Sequence, residues 1–187
     1  MMRLFIAFPL APPVKQQLAE IIADLRRFDE PVRWVKAENI HLTLRFLGDT
    51  DEKLLPRLKE MIISLAPRYQ PVEANFSTLG AFPNLRRPRV IWVGLTDLPD
   101  YLYELTDEIE KSVRKLGFEP EHRRFKPHLT LGRVKRDRQL RALPGEIERY
   151  RLSPAGVPLD RLSLFQSTLT PDGPIYKTLT TCLLGGG

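Results

Sequence analysis

The sequence predicts an α+β fold built from two similar lobes, and three observations lead to this prediction. Segments with strand-like alternation and segments with helical periodicity follow one another along the chain. The tetrapeptide His-Leu-Thr-Leu occurs at 41–44 and again at 128–131, an offset of 87 positions. That offset also places an earlier apolar segment on a similar one, with Phe5 falling on Trp92. We therefore expect two pseudo-symmetric lobes, each with an antiparallel sheet and helices, and a cleft with one tetrapeptide strand on each wall.

The elements of the first half alternate between strand and helix. Residues 3–8 are apolar and predict a buried strand, and 14–28 predict an amphipathic helix with Leu18 and Ile22 on its apolar stripe. Residues 40–47 alternate polar and apolar side chains and end at Gly48, which predicts a strand followed by a turn. A second helix is predicted over 51–65 and a further strand over 72–79.

The second half repeats this order and adds a final pair of strands. Strands are predicted over 89–95 and 128–134, with a helix over 101–116 that Gly117 closes. Strands over 159–168 and 175–184 would pair around a turn made of Pro171, Asp172, Gly173 and Pro174.

The repeat also predicts the domain organisation. Residues 1–184 are expected to form a single bilobal domain, because both tetrapeptides are needed to line one cleft. The glycine tail 185–187 is left out of the fold prediction, whether it is native or an addition.

Composition places the protein among ordinary globular domains. Of its 187 residues, 42% are hydrophobic and 28% charged, which excludes a disordered or collagen-like chain. The single cysteine, Cys182, excludes an internal disulfide framework and a multi-cysteine zinc site. No apolar run approaches the roughly 20 residues of a membrane span, and Pro9 and Pro12 interrupt the N-terminal apolar stretch. A cytoplasmic protein without membrane association is expected.

Positive charge is concentrated in one part of the chain. The formal net charge is +6, and residues 121–141 alone carry the same surplus. A second basic cluster lies at Arg86, Arg87 and Arg89. Such a localised positive field favours a partner that carries phosphate, although a solvated cationic face has the same composition.

The repeated tetrapeptide carries the candidate chemistry. In a strand, residues two apart share a face, so His41 lies beside Thr43 and His128 beside Thr130. Two imidazoles and two hydroxyls would then converge in the cleft. One imidazole can act as a base on water and the other as an acid on a leaving oxygen, while the hydroxyls donate to phosphate oxygens. The third histidine, His122, lies outside the motif and is interpreted as a loop residue.

Other kinds of site find less support in the sequence. A single histidine on a strand is usually structural, but two of only three histidines lie in identical tetrapeptides. There is no His-Glu-x-x-His motif and no other spacing typical of metal ligands. A glycine-rich phosphate loop and a nucleophile elbow are also missing. The sequence therefore predicts neither a metal nor a cofactor.

Several segments together resemble one known family. They are Arg3-Leu-Phe-Ile-Ala-Phe, Arg33-Trp-Val, the stretch 39–48 around the first tetrapeptide, and Lys126-Pro-His-Leu-Thr-Leu-Gly-Arg133; the stretches 88–94 and 167–173 and Tyr176 add to the likeness. Together they resemble the RNA 2′,3′-cyclic phosphodiesterases. These are also called 2′-5′ RNA ligase-like proteins, within the two-histidine phosphoesterase superfamily. The likeness covers nearly the whole chain.

This resemblance implies a bilobal two-histidine phosphoesterase fold and a reaction. The expected reaction is metal-independent opening of a 2′,3′-cyclic phosphate at an RNA end, which leaves a 2′-phosphate. By resemblance, His41 would donate a proton to the departing 3′ oxygen and His128 would activate water. Thr43 and Thr130 would hold the phosphate, and Arg133 would add charge-assisted contacts.

The arginine assignment raises a question of geometry. Arg133 lies five residues after His128, which is the opposite face of a regular strand, so a bulge or the strand end must re-aim it. The matching position in the first motif is Phe46, which would be either core or a contact for a base. Arg45 lies four residues after His41, on the same face of a regular strand, and is expected to be an exposed ion-pair partner.

Three questions stay open at the level of sequence. The motifs are identical, so they do not fix which histidine is acid and which is base, and exchanged roles would serve 2′-5′ ligation of RNA ends, including tRNA halves. An RNA-end binding module without turnover is an alternative, with stacking by Trp34, Phe46 and Phe125, although such aromatics are more often core. A phosphodiesterase for a small cyclic phosphate or a 2′-5′ oligoadenylate is another. The expected partner is RNA with a 2′,3′-cyclic phosphate end, bound by a monomer.

Overall fold

The computed structural model describes residues 1–136, 138–171 and 173–186. Its helices are α1 (Pro12–Arg26), α2 (Leu55–Leu65), α3 (Asp100–Lys115) and α4 (Leu143–Arg149). Its strands are β1 (Met2–Pro9), β2 (Val32–Trp34), β3 (His41–Thr50), β4 (Val72–Phe82), β5 (Val90–Thr96), β6 (His128–Val134), β7 (Gly156–Leu159), β8 (Arg161–Thr170) and β9 (Gly173–Leu183). Among the described helices, none has the length and apolar character needed to cross a membrane.

The strands form one antiparallel sheet with the two motif strands at its centre. Their order is β7-β4-β5-β6-β3-β1-β8-β9, and β2 also pairs with β6. The two halves meet where Leu42 of β3 lies opposite Leu129 of β6. Each His-Leu-Thr-Leu segment therefore borders the junction between the halves.

The repeat seen in the sequence extends to further elements of the fold. Displacing α2 by 87 positions gives 142–152, and α4 spans Leu143–Arg149. The same displacement takes β4 to 159–169, and β8 spans Arg161–Thr170. The halves exchange these strands, because β4 pairs with β5 of the second half and β8 with β1 of the first. The predicted α+β fold with two pseudo-symmetric halves is confirmed.

The predicted alignment of the first strands is wrong by two positions. Ala7 lies opposite Thr43 of the first motif, and Trp92 lies opposite Thr130 of the second. Ala7, not Phe5, is therefore the counterpart of Trp92. The chain between the first strand and the tetrapeptide is two residues longer in the second half than in the first. A fixed offset of 87 therefore cannot align both the strands and the tetrapeptides. An even shift leaves the face of every residue unchanged.

Short elements account for most of the other differences. Strand β2, helix α4 and strand β7, which have three, seven and four residues, were not predicted from the sequence. The predicted helix 51–65 is a 3-10 turn, Glu52–Leu54, followed by α2. Strand β3 continues past Gly48, which adopts a φ of +70° inside an irregular stretch of the ladder. Asp137 of the basic segment, Asp172 of the predicted turn and Gly187 of the tail lie outside the described residues.

The core lies between the sheet and its helices. Strand β1 is apolar on both faces, and the buried Leu4, Ile6 and Phe8 belong to the same core cluster as α1 and α3. Helix α3 lies behind β3, where Glu110 Oε2 accepts a hydrogen bond from Arg45 Nε at 2.6 Å. The ion pair predicted for Arg45 is present. The prediction that Arg45 is exposed is wrong, because its side chain is only 11% exposed.

Candidate active site

The two tetrapeptides run side by side in opposite directions. Because β3 and β6 are antiparallel and Leu42 pairs with Leu129, the next position on either side brings His41 level with Thr130 and Thr43 level with His128. The two histidines are thus diagonal neighbours, which ordinarily lie roughly 7–8 Å apart. The structure brings together the four side chains that the motifs predicted, on one face of the sheet.

A bulge at Leu131 brings Arg133 onto this face. Between Thr130 and Gly132, strand β6 advances two residues while its neighbour β5 advances one. The extra residue shifts the alternation of faces by one position. Arg133 therefore points to the same side as Thr130, as the resemblance required.

The first motif carries the matching bulge, at Leu44. Beyond it, Arg45 pairs with Ile6 and Phe46 pairs with Phe5. Arg45 is turned towards the helices, which explains its burial against α3. Phe46 is turned towards the cleft, where it is 48% exposed and its ring lies 5.7 Å from that of Phe5.

Both imidazoles are held by the backbone two residues before them. His41 Nδ1 lies 2.8 Å from the carbonyl oxygen of Asn39, and His128 Nδ1 lies 2.6 Å from that of Lys126. A carbonyl only accepts, so Nδ1 carries the hydrogen in each ring. Nε2 is then the atom that gains or loses a proton in both histidines.

Aromatic side chains form the floor beneath the histidines. The His41 ring stacks on Phe5 at 4.6 Å and meets the edge of Tyr176 at 5.2 Å. The His128 ring meets Phe82 edge to face at 4.9 Å. These contacts were not predicted from the sequence, because they depend on which strands become neighbours; only Phe5 and Tyr176 lie among the residues that carry the family resemblance.

Burial keeps both imidazoles neutral. It is the main cause that lowers the pKa of His41, to about 4, and the charges of Lys15 and His128 lower it further. The pKa of His128 is also lowered, first by burial and then by the positive charge of Arg133. The bonds to the backbone carbonyls oppose both shifts. Near pH 7 each ring is therefore a proton acceptor in the absence of an anion.

The site keeps its donors for a ligand. Within the described residues, no hydrogen bond involves the hydroxyl of Thr43 or of Thr130. Arg133 is exposed, and its charge lowers the pKa of His128 and opposes the rise that burial causes in the pKa of Tyr176. Tyr176 belongs to β9, which lies on the side of the sheet that carries β1 and β3, so the field of Arg133 spans the cleft.

The remaining candidates of the sequence analysis lie outside the cleft. His122 is exposed in the loop between α3 and β6, as predicted. Trp34 lies on the opposite face of the sheet, because a Cβ on Gly132 would come within 2.9 Å of it. Phe125 packs edge to face with Tyr103 at 6.0 Å.

The two basic clusters meet at one end of the second half. The backbone amide of Val134 donates to the carbonyl of Arg89 at 3.0 Å. One arginine of the basic segment is neutralised locally, because Arg123 pairs with Glu121 at 3.1 Å. In the described part of the chain, no group of three or more His, Cys, Asp or Glu side chains could hold a metal ion.

A repeated fold that presents a His-x-Thr pair from each central strand to one cleft defines a two-histidine phosphoesterase. The chain belongs to the LigT-like phosphoesterase family, whose family model matches it twice, over residues 8–92 and 93–176. Each half of the molecule thus matches the same model. The internal repeat inferred from the tetrapeptides is confirmed.

Relatives and solved structures agree with this assignment along the whole chain. A protein of Methanocaldococcus jannaschii named RNA 2′,3′-cyclic phosphodiesterase is 36% identical over 179 residues, covering 95% of this chain and 98% of its own. A crystal structure of a Thermus thermophilus protein has a TM-score of 0.80 at 30% identity and covers 99% of both chains. E. coli LigT in complex with 3′-AMP has a TM-score of 0.75 at 25% identity, with 98% of both chains covered.

Proposed function

We propose that this phosphoesterase hydrolyses 2′,3′-cyclic phosphate ends of RNA to 2′-phosphates without a metal ion. One observation carries the proposal: His41 and His128 lie diagonally across one cleft, each with Nδ1 tied to the backbone and Nε2 left for proton transfer. The name of the M. jannaschii relative supports the substrate, and the 3′-AMP complex of E. coli LigT supports a nucleotide in this fold.

The reaction needs one proton removed and one delivered. Nε2 of His128 takes a proton from water as the water oxygen attacks phosphorus. The bond between phosphorus and the 3′ oxygen breaks, and this oxygen takes a proton from Nε2 of His41. The products are a 2′-phosphomonoester and a free 3′ hydroxyl, and the second proton transfer restores the total protonation of the pair. The assignment of acid and base follows the family resemblance.

Charge develops on the phosphate oxygens as water adds. The hydroxyls of Thr43 and Thr130 share the face of the histidines and donate to these oxygens. Arg133 adds a charge-assisted donor from the same face. Donors that are already in place stabilise the transition state without reorganisation.

Substrate binding prepares the acid. His41 has a pKa of about 4, so its ring is neutral near pH 7 before substrate arrives. A phosphate anion beside the ring favours its charged form and raises this pKa. The anion that reacts therefore promotes protonation of the group that donates to its leaving oxygen.

Ligation follows from the same geometry. The 5′ hydroxyl of a second RNA end would replace water: His128 would take its proton as its oxygen attacks phosphorus, and His41 would protonate the departing 3′ oxygen, which leaves a 2′-5′ linkage. The exchange of roles considered from the sequence is not needed for ligation from a cyclic end. Hydrolysis is the favoured direction in dilute solution, because water is abundant and ligation requires two aligned RNA ends. The ligase activity on tRNA halves, the monomeric state and the cytoplasmic location belong to the proposal and stay predictions.

The test is hydrolysis of adenosine 2′,3′-cyclic phosphate in the presence of EDTA, with the product resolved as the 2′ or the 3′ phosphate. We expect a 2′-phosphate from the wild type and loss of turnover in His41→Ala and in His128→Ala. His122→Ala is the matched control, because this third histidine is exposed in a loop. A 3′-phosphate product, inhibition by EDTA or full activity in either motif variant would overturn the proposal.

The same assay separates the alternatives. An RNA-end binding module would bind a short RNA with a cyclic end but convert none of it at catalytic protein concentration. An enzyme for a small cyclic phosphate would show no gain when nucleotides are added before the cyclic end. The basic end of the second half, where Arg89 and Val134 meet, favours a longer polyanion.

A further inference from the structure

Arg33 and Arg133 lie directly opposite each other in the ladder between β2 and β6. Directly opposed residues of an antiparallel pair point to the same face. The bulge at Leu131 sets Arg133 on the cleft face, so Arg33 points there too. The opposite face at this place is occupied, because a Cβ on Gly132 would come within 2.6 Å of Val32 and 2.9 Å of Trp34.

The Arg33–Arg133 pair does not contribute to the stability of the fold. Two like charges directly opposite each other destabilise a sheet. Both side chains are exposed, and none of the ion pairs within the described residues involves either of them. A bound anion would turn the repulsion between the guanidinium groups into attraction for both, which makes the pair an anion site.

The position of the pair indicates which anion. Along β6, Arg133 is the next position after Thr130 to face the cleft, about 7 Å further on at ordinary strand spacing. Arg33 lies beside it on β2, which shares an edge of β6 with β3, so Arg33 is level with Arg133 and one cleft-facing position beyond the level of His41 and Thr130. An anion on Arg33 would therefore lie next to the reactive phosphate and outside the site of reaction. In an RNA whose last phosphate is cyclic, the neighbouring anion is the backbone phosphate on the 5′ side of the terminal nucleotide.

We propose that Arg33, beside Arg133, binds this neighbouring 5′ phosphate and so selects RNA ends over free nucleoside cyclic phosphates. Arg33 is a specificity-determining residue in this arrangement and takes no part in proton transfer. The inference rests on the proposed function, because it takes the cyclic phosphate end as the substrate. It adds the class of substrate: a chain, or at least a 5′-phosphorylated nucleotide.

Three substrates test the inference, one without and two with a phosphate on the 5′ side of the terminal nucleotide. They are adenosine 2′,3′-cyclic phosphate, the same nucleotide with a 5′ phosphate, and a trinucleotide with a 2′,3′-cyclic end. Arg33→Ala is expected to lower kcat/KM about tenfold for the last two, and at least fivefold more than for the first. Arg33→Lys should keep part of the preference. Arg57→Ala, an exposed arginine on the outer helix α2, is the control and should match the wild type on all three.

Two further readouts separate binding from a structural role. The salt dependence of kcat/KM for the trinucleotide should become shallower in Arg33→Ala, by a slope of about 0.7 for one lost contact to a single strand. The melting temperature of this variant should stay unchanged or rise, because a like-charge pair is removed. A fall in melting temperature with equal losses on all three substrates would overturn the inference. If the wild type converts none of them, the proposed function itself fails.

Discussion

Leu42 lies opposite Leu129 at the place where the two halves of the sheet meet. Both leucines are fully buried on the helix side. The polar neighbours on either side of each leucine are thereby turned to the opposite face, where the two histidines become diagonal neighbours. One apolar cross-strand pair thus sets the separation of His41 and His128.

Removing either motif hydroxyl should slow the reaction without unfolding the protein. Thr43→Val and Thr130→Val keep the shape of the side chain and remove one donor to a charged oxygen, which contributes about 1.5–3 kcal/mol. We expect kcat/KM to fall roughly 10- to 100-fold. Thr168→Val is the matched control on β8. Phe165, whose ring stacks on Phe5, and Ser167 face the cleft, so Thr168 points to the opposite face of the sheet. A rate within twofold of wild type for both motif variants would contradict the proposed role.

The pH dependence should differ between the free enzyme and the complex. The profile of kcat/KM reports the free enzyme, in which the pKa values of both histidines are lowered, that of His41 to about 4. We expect a bell-shaped profile of kcat/KM with its maximum below pH 6.5. The bell for kcat should lie at higher pH, because the bound phosphate anion raises both pKa values. A flat kcat/KM between pH 5 and 8, or a maximum above pH 7, would speak against the two-histidine mechanism.

His41 should also contribute to acid destabilisation. Its folded pKa of about 4 lies below the ordinary value of 6.5, so the unfolded chain binds the proton more readily. This part of the stability is present above pH 6.5 and is lost as the pH falls towards 4. Between pH 7 and pH 4 the wild type should lose about 3 kcal/mol more than His41→Asn, measured by urea unfolding in phosphate-free buffer.

His122→Asn is the control for this titration. Its side chain is exposed in a loop, so the variant should follow the wild type across the whole pH range. Equal acid losses in the wild type and in His41→Asn would show that the His41 ring is not held neutral by burial.

The Arg45–Glu110 pair should matter for stability and not for catalysis. Glu110 accepts a hydrogen bond from Arg45 and another from the backbone of Glu121, which leads towards β6. Removing one partner of a largely buried pair costs about 3 kcal/mol. We expect Arg45→Met and Glu110→Gln to lower the free energy of unfolding by this amount. The kcat/KM of the folded protein should stay within about twofold, and a tenfold loss without destabilisation would place Arg45 in the cleft instead.

Much of the fold could be predicted because the strands and long helices have strong periodicity. The second motif strand was predicted with the bounds that the structure shows, His128–Val134. The order of the strands could not be predicted, since β4 and β8 exchange between halves through contacts that are distant in the sequence. The short strand β2 was missed because three residues are too few for a pattern, and Arg33 was therefore quoted only for its resemblance.

The site was predictable where alternation is regular and unpredictable where it is interrupted. His41, Thr43, His128 and Thr130 follow from a period of two. Beyond each motif the parity fails, because Leu44 and Leu131 each add a residue to their strand. Neither leucine carries a sequence signal for a bulge. The assignment of residues 1–184 to one domain stays a prediction.

The central claim is that His41 and His128 act as one unit on a single phosphate. The most direct measurement compares kcat for adenosine 2′,3′-cyclic phosphate in the wild type, His41→Ala, His128→Ala and the double variant. Each single variant should lose about a thousandfold or more, and the double variant should lose little beyond either single one, because groups that act together are not additive. Activity near wild type in either single variant, or losses that multiply in the double variant, would contradict a shared acid–base cycle.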